Sequence, residues 1–197
     1  MERFYLLTAT ADRLQQLVPA GVKLVQLRMK ELSSEALREQ ATRAKRCCER
    51  HDAQLVLNDY WQLALELGID FVHLGQEDMD TADFAALRRA GVRFGLSTHD
   101  DAELERALAL APAYIALGPV YPTKLKKMKW APQGLERVAR WKCRVGSIPL
   151  VAIGGLTPER APGVLAAGAD SVAVVTDVQT AADSVARCRH WLRAVAE

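Results

Sequence analysis

Val25-Gln26-Leu27-Arg28-Met29-Lys30 alternates apolar and polar residues without a break, which is the period of a β-strand. The polar members are Gln26, Arg28 and Lys30, hydrogen-bond donors on one face. A surface strand with a wet side would read this way. So would a strand that holds an anion, and the surrounding sequence has to decide.

That surrounding sequence repeats one pattern about eight times. A short apolar run is followed by a polar or Gly-containing turn and then a helical segment. The runs are FYLL (4–7), VKLVQL (22–27), AQLVL (53–57), FVHL (71–74), VRFGL (92–96), YIAL (114–117), IPLVAI (148–153) and SVAVV (171–175). Their Val, Ile and Leu content suits buried parallel strands. Between them, Leu37, Ala41, Ala44 and Cys48 fall on one helical face of a segment over 34–50, with Ser33 or Ser34 as its cap. Asp80 is read as the cap of a helix around 81–90. Thr157-Pro158-Glu159 has the form of a helix start. Gly68, Gly91 and Gly168 each stand where a helix ends before a strand.

Strand and helix alternating throughout predict a parallel sheet. Eight units predict an α/β chain folded as a (β/α)8 TIM barrel, a single domain over residues 1–197. The rival, a doubly wound open sheet, lacks the G-x-G-x-x-G expected after its first strand. In the barrel, Val25, Leu27 and Met29 would pack outward against helices while Gln26, Arg28 and Lys30 point inward.

Composition narrows the partners. Half of the 197 residues are hydrophobic, a quarter are charged, and the net charge is +2. That charge is too small to argue for nucleic acid or an anionic membrane, so anion binding must be local. The N-terminal apolar run is too short for a signal peptide, and no run approaches a membrane span. Cys47, Cys48, Cys143 and Cys188 lack zinc spacing and read as free thiols, so a cytoplasmic protein is expected. A homo-oligomer is left open.

Polar residues gather after seven of the eight runs, where barrel active sites lie. Asp59 and Asp78 follow neighbouring strands. Either alone could cap a helix. Together, facing basic residues, they suit Mg²⁺, which takes one or two carboxylates plus substrate phosphates and water. Gly154-Gly155 and then Val175-Thr176 offer backbone N–H groups of the kind that bind phosphate, although a Gly pair also serves plain tight turns. The segment from Gly118 to Gly134 is too long for an ordinary connection. It is read as a mobile lid, with most of its lysines solvated and at least one able to reach a phosphate. His99 at the mouth suits proton transfer or a structural hydrogen bond. His73 is read as packed in its strand. The chemistry alone gives a basic, magnesium-dependent region (Arg28, Lys30, Asn58, Asp59, Asp78) and a backbone-rich one (Gly155, Val175, Thr176). Two phosphorylated substrates, or one with a phosphate at each end, would fit.

VQLRMK, LNDYWQLALELGIDFVHLGQEDM, GLSTHDDAE, ALGPVYPTKLKKMKWAPQGL, VAIGGLT and AVVTDV, in that order between about residues 22 and 178, resemble the thiamine phosphate synthase (thiamine-phosphate pyrophosphorylase) family. The resemblance implies a transferase that condenses a hydroxymethylpyrimidine diphosphate with a thiazole phosphate. It implies that Gln26, Leu27, Arg28, Met29, Lys30, Asn58, Ser97 and Lys126 bind the pyrimidine diphosphate, with Arg28, Lys30, Ser97 and Lys126 catalytic. Asp59 and Asp78 would hold Mg²⁺. Thr123, Lys124, Leu125, Gly155, Val175 and Thr176 would bind the thiazole phosphate. Leu125 stands where that family often has Thr, Thr176 where it often has Ser, and Tyr60 where a polar residue is frequent. A thiazole tautomerase-like barrel and a non-catalytic barrel binding thiazole or thiamine phosphate are the alternatives. Neither needs Asn58-Asp59 with Asp78.

Overall fold

The computed structural model describes residues 1–123 and 130–196. Eight parallel strands close into a barrel in the order of the chain: β1 (Phe4–Thr8), β2 (Leu24–Leu27), β3 (Gln54–Asn58), β4 (Phe71–Leu74), β5 (Arg93–Thr98), β6 (Tyr114–Leu117), β7 (Leu150–Ile153) and β8 (Ser171–Val174). The last strand pairs with the first, Phe4 opposite Val172 and Leu6 opposite Val174. The helices among the described residues are α1 (Ala11–Leu17), α2 (Ser34–Arg50), α3 (Trp61–Leu67), α4 (Phe84–Arg89), α5 (Asp101–Leu108), α6 (Gly134–Val145), α7 (Ala161–Ala166), α8 (Thr176–Gln179) and α9 (Ser184–Ala196). The apolar runs predict all eight strands to within a few residues. None of these helices is long and apolar enough to cross a membrane.

Period-two alternation sorts the strand residues into two cores. Tyr5, Leu7, Leu24, Val56, Tyr114 and Val151 face the barrel interior. Their neighbours Leu6, Val25, Leu27, Leu57 and Ile115 face out into the layer beneath the helices. The outer layer is sealed by α2, whose Ala41, Ala44, Cys47 and Cys48 are buried. Ser33 caps that helix, its Oγ accepting from the Ala36 N–H at 3.2 Å. Trp191 of α9 stacks on Phe4, so the last helix closes over the first strand. Trp141 of α6 donates to Thr98 Oγ1 at 3.0 Å, which fixes that helix to β5.

Three local expectations need correction. β2 stops at Leu27, and Arg28, Met29 and Lys30 have no regular structure. Its neighbour β1 ends at Thr8, whose carbonyl takes the Arg28 N–H as the last bond of that ladder. The helix predicted at 81–90 is capped by Asp83, whose Oδ1 accepts from Ala86 N, while Asp80 closes a preceding 3₁₀ turn. Thr157-Pro158-Glu159 forms a turn that leads into α7, which begins at Ala161.

One glycine inside a strand has a steric cause. Gly95 of β5 pairs with Tyr114 of β6, and a Cβ there would fall 2.1 Å from the tyrosine Cζ. The missing side chain is the space that lets the ring lie across the barrel interior. Gly95→Ala is expected to lower stability by about 1–3 kcal/mol through overpacking. Thermal unfolding measures it, and an unchanged melting temperature would contradict the assignment.

Candidate active site

The C-terminal ends of the strands carry the polar residues, and the closed strand order decides which face one another. β2 to β5 form one half of the mouth. β7 and β8 lie diametrically across from β3 and β4. The two regions expected from sequence therefore sit on opposite sides of one opening.

On the first side, Asn58 ends β3, is buried, and pairs with His73 of β4. Asp59 follows in the left-handed region, with φ at 66°. That turn is costly for a non-glycine residue, and it directs the carboxylate to Asp78. Asp59 does not cap α3: the cap position is Tyr60 and makes no side-chain bond. Asp78 Oδ2 accepts from the Gly75 N–H at 2.9 Å, which holds the loop after β4 against it. The Asp59 carboxyl is pushed up to about 6. Burial is the largest cause, followed by the charge of Asp78 and a hydrogen bond to it, partly offset by Arg28 and Lys30. Two half-buried acids that face each other, with two cations beside them, form a donor set suited to a hard divalent ion.

Arg28 and Lys30 are exposed at the rim, so they do not point into the barrel interior as the alternation suggests. Their charges nonetheless reach Asp59, and Arg28 also acts on His73. Leu27 and Met29 are buried in the outer core. Their side chains face away from the mouth, so those two positions offer a ligand main-chain atoms alone. Gln26 is the inward member of the stretch, buried beneath the mouth, and donates to Tyr5 Oη at 2.9 Å.

Below the rim lie polar groups whose role periodicity did not reveal. His73 is in its strand and stacks on Tyr114, as a packed residue would. Yet its Nδ1 is 2.6 Å from Tyr114 Oη and its Nε2 is 2.8 Å from Ser97 Oγ. Burial, with a smaller contribution from Arg28, pushes the His73 imidazole down to about 4, so it is neutral at neutral pH. Burial pushes the Tyr5 and Tyr114 phenols up. The available signal was phase: Tyr5 and Tyr114 stand in register with the inward residues Leu7 and Ala116. Ser97 itself is half-buried near the end of β5, and its carbonyl accepts from Gln76 Nε2 at 2.7 Å. His99 is held by Glu103, Nδ1 to Oε2 at 2.7 Å, and stacks on Trp130. Its ring serves structure in this arrangement.

On the second side, Gly155, Val175 and Thr176 are half-buried at the ends of β7 and β8. Val175 occupies the cap position of α8 and Thr176 its first residue. The Gly pair has a packing cause. A Cβ on Gly155 would meet Pro122 O at 2.5 Å, and one on Gly154 would meet Pro119 Cβ at 2.6 Å. The segment after β6 runs beside it, Val120 and Tyr121 donating to the carbonyls of Ile153 and Gly154. Thr123 is half-buried at the end of that segment. Lys124, Leu125 and Lys126, in the middle of the segment expected to form a lid, lie outside the described residues.

Residues 4–178 match the family model of thiamine monophosphate synthase. The chain is 60% identical over 196 residues to a thiamine-phosphate synthase of Rhizobium etli, covering 100% of this chain and 96% of the relative. It is 49% identical over 170 residues to one of Klebsiella pneumoniae, covering 86% and 81%. Among solved structures, a thiamine phosphate pyrophosphorylase of Pyrococcus furiosus shares the fold, with a TM-score of 0.86 over 98% of this chain and 95% of that one, at 23% identity. By match length and by identity, this chain belongs to the thiamine monophosphate synthase family.

Proposed function

We propose that the chain joins 4-amino-5-hydroxymethyl-2-methylpyrimidine diphosphate to hydroxyethylthiazole phosphate, giving thiamine phosphate and pyrophosphate. With the carboxylated thiazole, CO₂ is also lost. Family membership supports the reaction. The observation that carries the residue assignment is the Asp59–Asp78 pair, with Arg28 and Lys30 in electrostatic reach of Asp59, set across the mouth from Gly155 and Thr176.

In this reading Asp59 and Asp78 hold Mg²⁺, which when bound neutralises charge on the diphosphate oxygens. Arg28 and Lys30, exposed at the rim, bind the same diphosphate and stabilise the negative charge that grows as its C–O bond breaks. Asn58 and Ser97 bind it from the adjoining strand ends, and Lys126 does so from the segment after β6. The pyrimidine exocyclic amino group delocalises the positive charge left on the methylene carbon. The thiazole nitrogen then donates its lone pair to that carbon, closing the new C–N bond. Thr123, Lys124 and Leu125, with Gly155, Val175 and Thr176, hold the thiazole phosphate so that the nitrogen faces the carbon. Free thiols among the described cysteines and the absence of any long apolar helix there fit a cytoplasmic setting and small-molecule partners.

The paired carboxylates have a cost that follows from their sign. Unfolded, Asp59 titrates near 3.8, and folded near 6. Between these values the folded protein keeps a proton that the unfolded chain has released. Stability therefore falls as pH rises through that window and levels off above it. A bound divalent cation relieves the cost by taking the place of the proton.

Incubating the purified protein with both substrates and Mg²⁺ is expected to release pyrophosphate and thiamine phosphate in equal amounts, and no release would sink the reading. Isomerised thiazole without condensation would favour the tautomerase alternative. Arg28→Ala is expected to lower kcat/KM by about 100-fold or more, as loss of a charge-assisted contact to the leaving group should. Without divalent cation, Asp59→Asn is expected to be more stable than the wild type at pH 8 by roughly 2 kcal/mol, the shift discounted for partial solvent access. At pH 4 the gain should nearly vanish. Urea unfolding at the two pH values tests this, and an equal difference at both would contradict it.

A further inference from the structure

Five side chains inside the barrel form one chain of hydrogen bonds that ends at the mouth. Gln26 Nε2 is 2.9 Å from Tyr5 Oη, and Tyr5 Oη is 3.0 Å from Tyr114 Oη. Tyr114 Oη is 2.6 Å from His73 Nδ1, and His73 Nε2 is 2.8 Å from Ser97 Oγ. The first four residues are buried, so each proton must be shared within the chain.

With the Gln26 amide nitrogen turned to Tyr5, as placed here, counting donors gives the direction. The Gln26 amide nitrogen only donates, so Tyr5 Oη accepts from it. The one proton of Tyr5 then goes to Tyr114 Oη, and the one proton of Tyr114 goes to His73 Nδ1. A ring nitrogen that accepts carries no proton, so His73 holds its single proton on Nε2 and donates it to Ser97 Oγ. Ser97 is left accepting from below, with its own O–H turned towards the mouth. If the Gln26 amide presented its oxygen to Tyr5, every bond would reverse. His73 would then be protonated on Nδ1, and Ser97 would donate inward.

We propose that Gln26, Tyr5, Tyr114 and His73 are positioning residues that point the Ser97 hydroxyl proton outward, making Ser97 a hydrogen-bond donor to the departing diphosphate oxygen. The identity of that anion rests on the proposed reaction, whereas the proton order rests on the chain of contacts. The arrangement differs from a nucleophilic serine–histidine pair, in which histidine accepts from the hydroxyl. Here histidine donates, so Ser97 is not activated to attack and no covalent intermediate forms on it.

Long-range ¹H–¹⁵N spectra of the ¹⁵N-labelled protein at pH 7.5 read the order directly, with His73→Gln assigning the signals. The expected result is His73 protonated on Nε2 alone in the wild type, and loss of that single tautomer in Tyr114→Phe. An Nδ1–H tautomer in the wild type would overturn the proposal. In turnover assays, Tyr114→Phe is expected to lower kcat about tenfold with KM nearly unchanged, the order of one oriented hydrogen bond in the transition state. In a Ser97→Ala background the same substitution should cost less than about twofold. Equal losses in both backgrounds would mean that Tyr114 merely packs, and would overturn the positioning role. If the wild type shows the Nε2–H tautomer but no turnover, the proton order is supported and the reaction assignment fails.

Discussion

A polar group enclosed by a barrel has to be satisfied by another group inside the same barrel. That constraint organises this protein from the floor of its mouth upward. Tyr114 is the element on which it turns. Its ring occupies the interior because Gly95 on the neighbouring strand has no side chain. Its hydroxyl meets both Tyr5 and His73. An apolar residue at 114 would fill the space equally well, but it would leave the Tyr5 hydroxyl proton and His73 Nδ1 buried without partners, each at a cost of about 1–3 kcal/mol. The core and the floor of the site are thus one structure, and packing sets the geometry of the polar groups.

The rim obeys the opposite logic. Arg28 and Lys30 are exposed and remain hydrated, so they impose little desolvation cost. Asp59 and Asp78 are half-buried and face each other, and the raised Asp59 carboxyl records the strain. Asp59 adds a left-handed backbone to the same turn. Unfavourable terms meeting at one residue at a strand end are what a ligand site tends to show, because they are relieved when the site fills. The rest of the barrel has to supply the stability this turn consumes, and the two tightly filled cores on either side of the sheet do so.

The sequence made the fold legible because the strands are buried on both faces and read as apolar runs, separated by turn glycines with a clear steric reason. Gly68 and Gly91 do adopt left-handed backbone where they were expected to end helices. The candidate site stands out in the sequence where it carries charge: Asp59, Asp78 and Arg28 are unusual at strand ends whatever lies around them. It was poorly legible where it uses neutral polar groups. Tyr5 and Tyr114 are common strand residues, and His73 reads as packing because it does pack. Their meaning lies in contacts between strands far apart in the chain, such as Tyr5 with Tyr114, and period-two phase places a residue inside without naming its partner. Helix starts were misplaced by a few residues at Asp80 and Thr157 because short turns carry the same capping residues as the helices that follow them.

The segment Val25 to Lys30 joins these levels. Alternation continues past the end of β2, so Met29 is still buried in the outer core while Arg28 and Lys30 emerge at the rim. Regular pairing ends at Leu27, but the Arg28 N–H still bonds to Thr8. The backbone of Arg28 is therefore held by the barrel while its side chain is exposed at the rim. A fully paired strand would have kept that charge in one direction, and an ordinary loop would have lost its position. Gln26, two residues earlier, lies on the same side of the alternation and starts the buried hydrogen-bond chain. One wall thus carries both an exposed cation at the rim and a buried donor below it. In the proposed reaction these two functions converge on the leaving diphosphate, one through charge and the other through the orientation of Ser97.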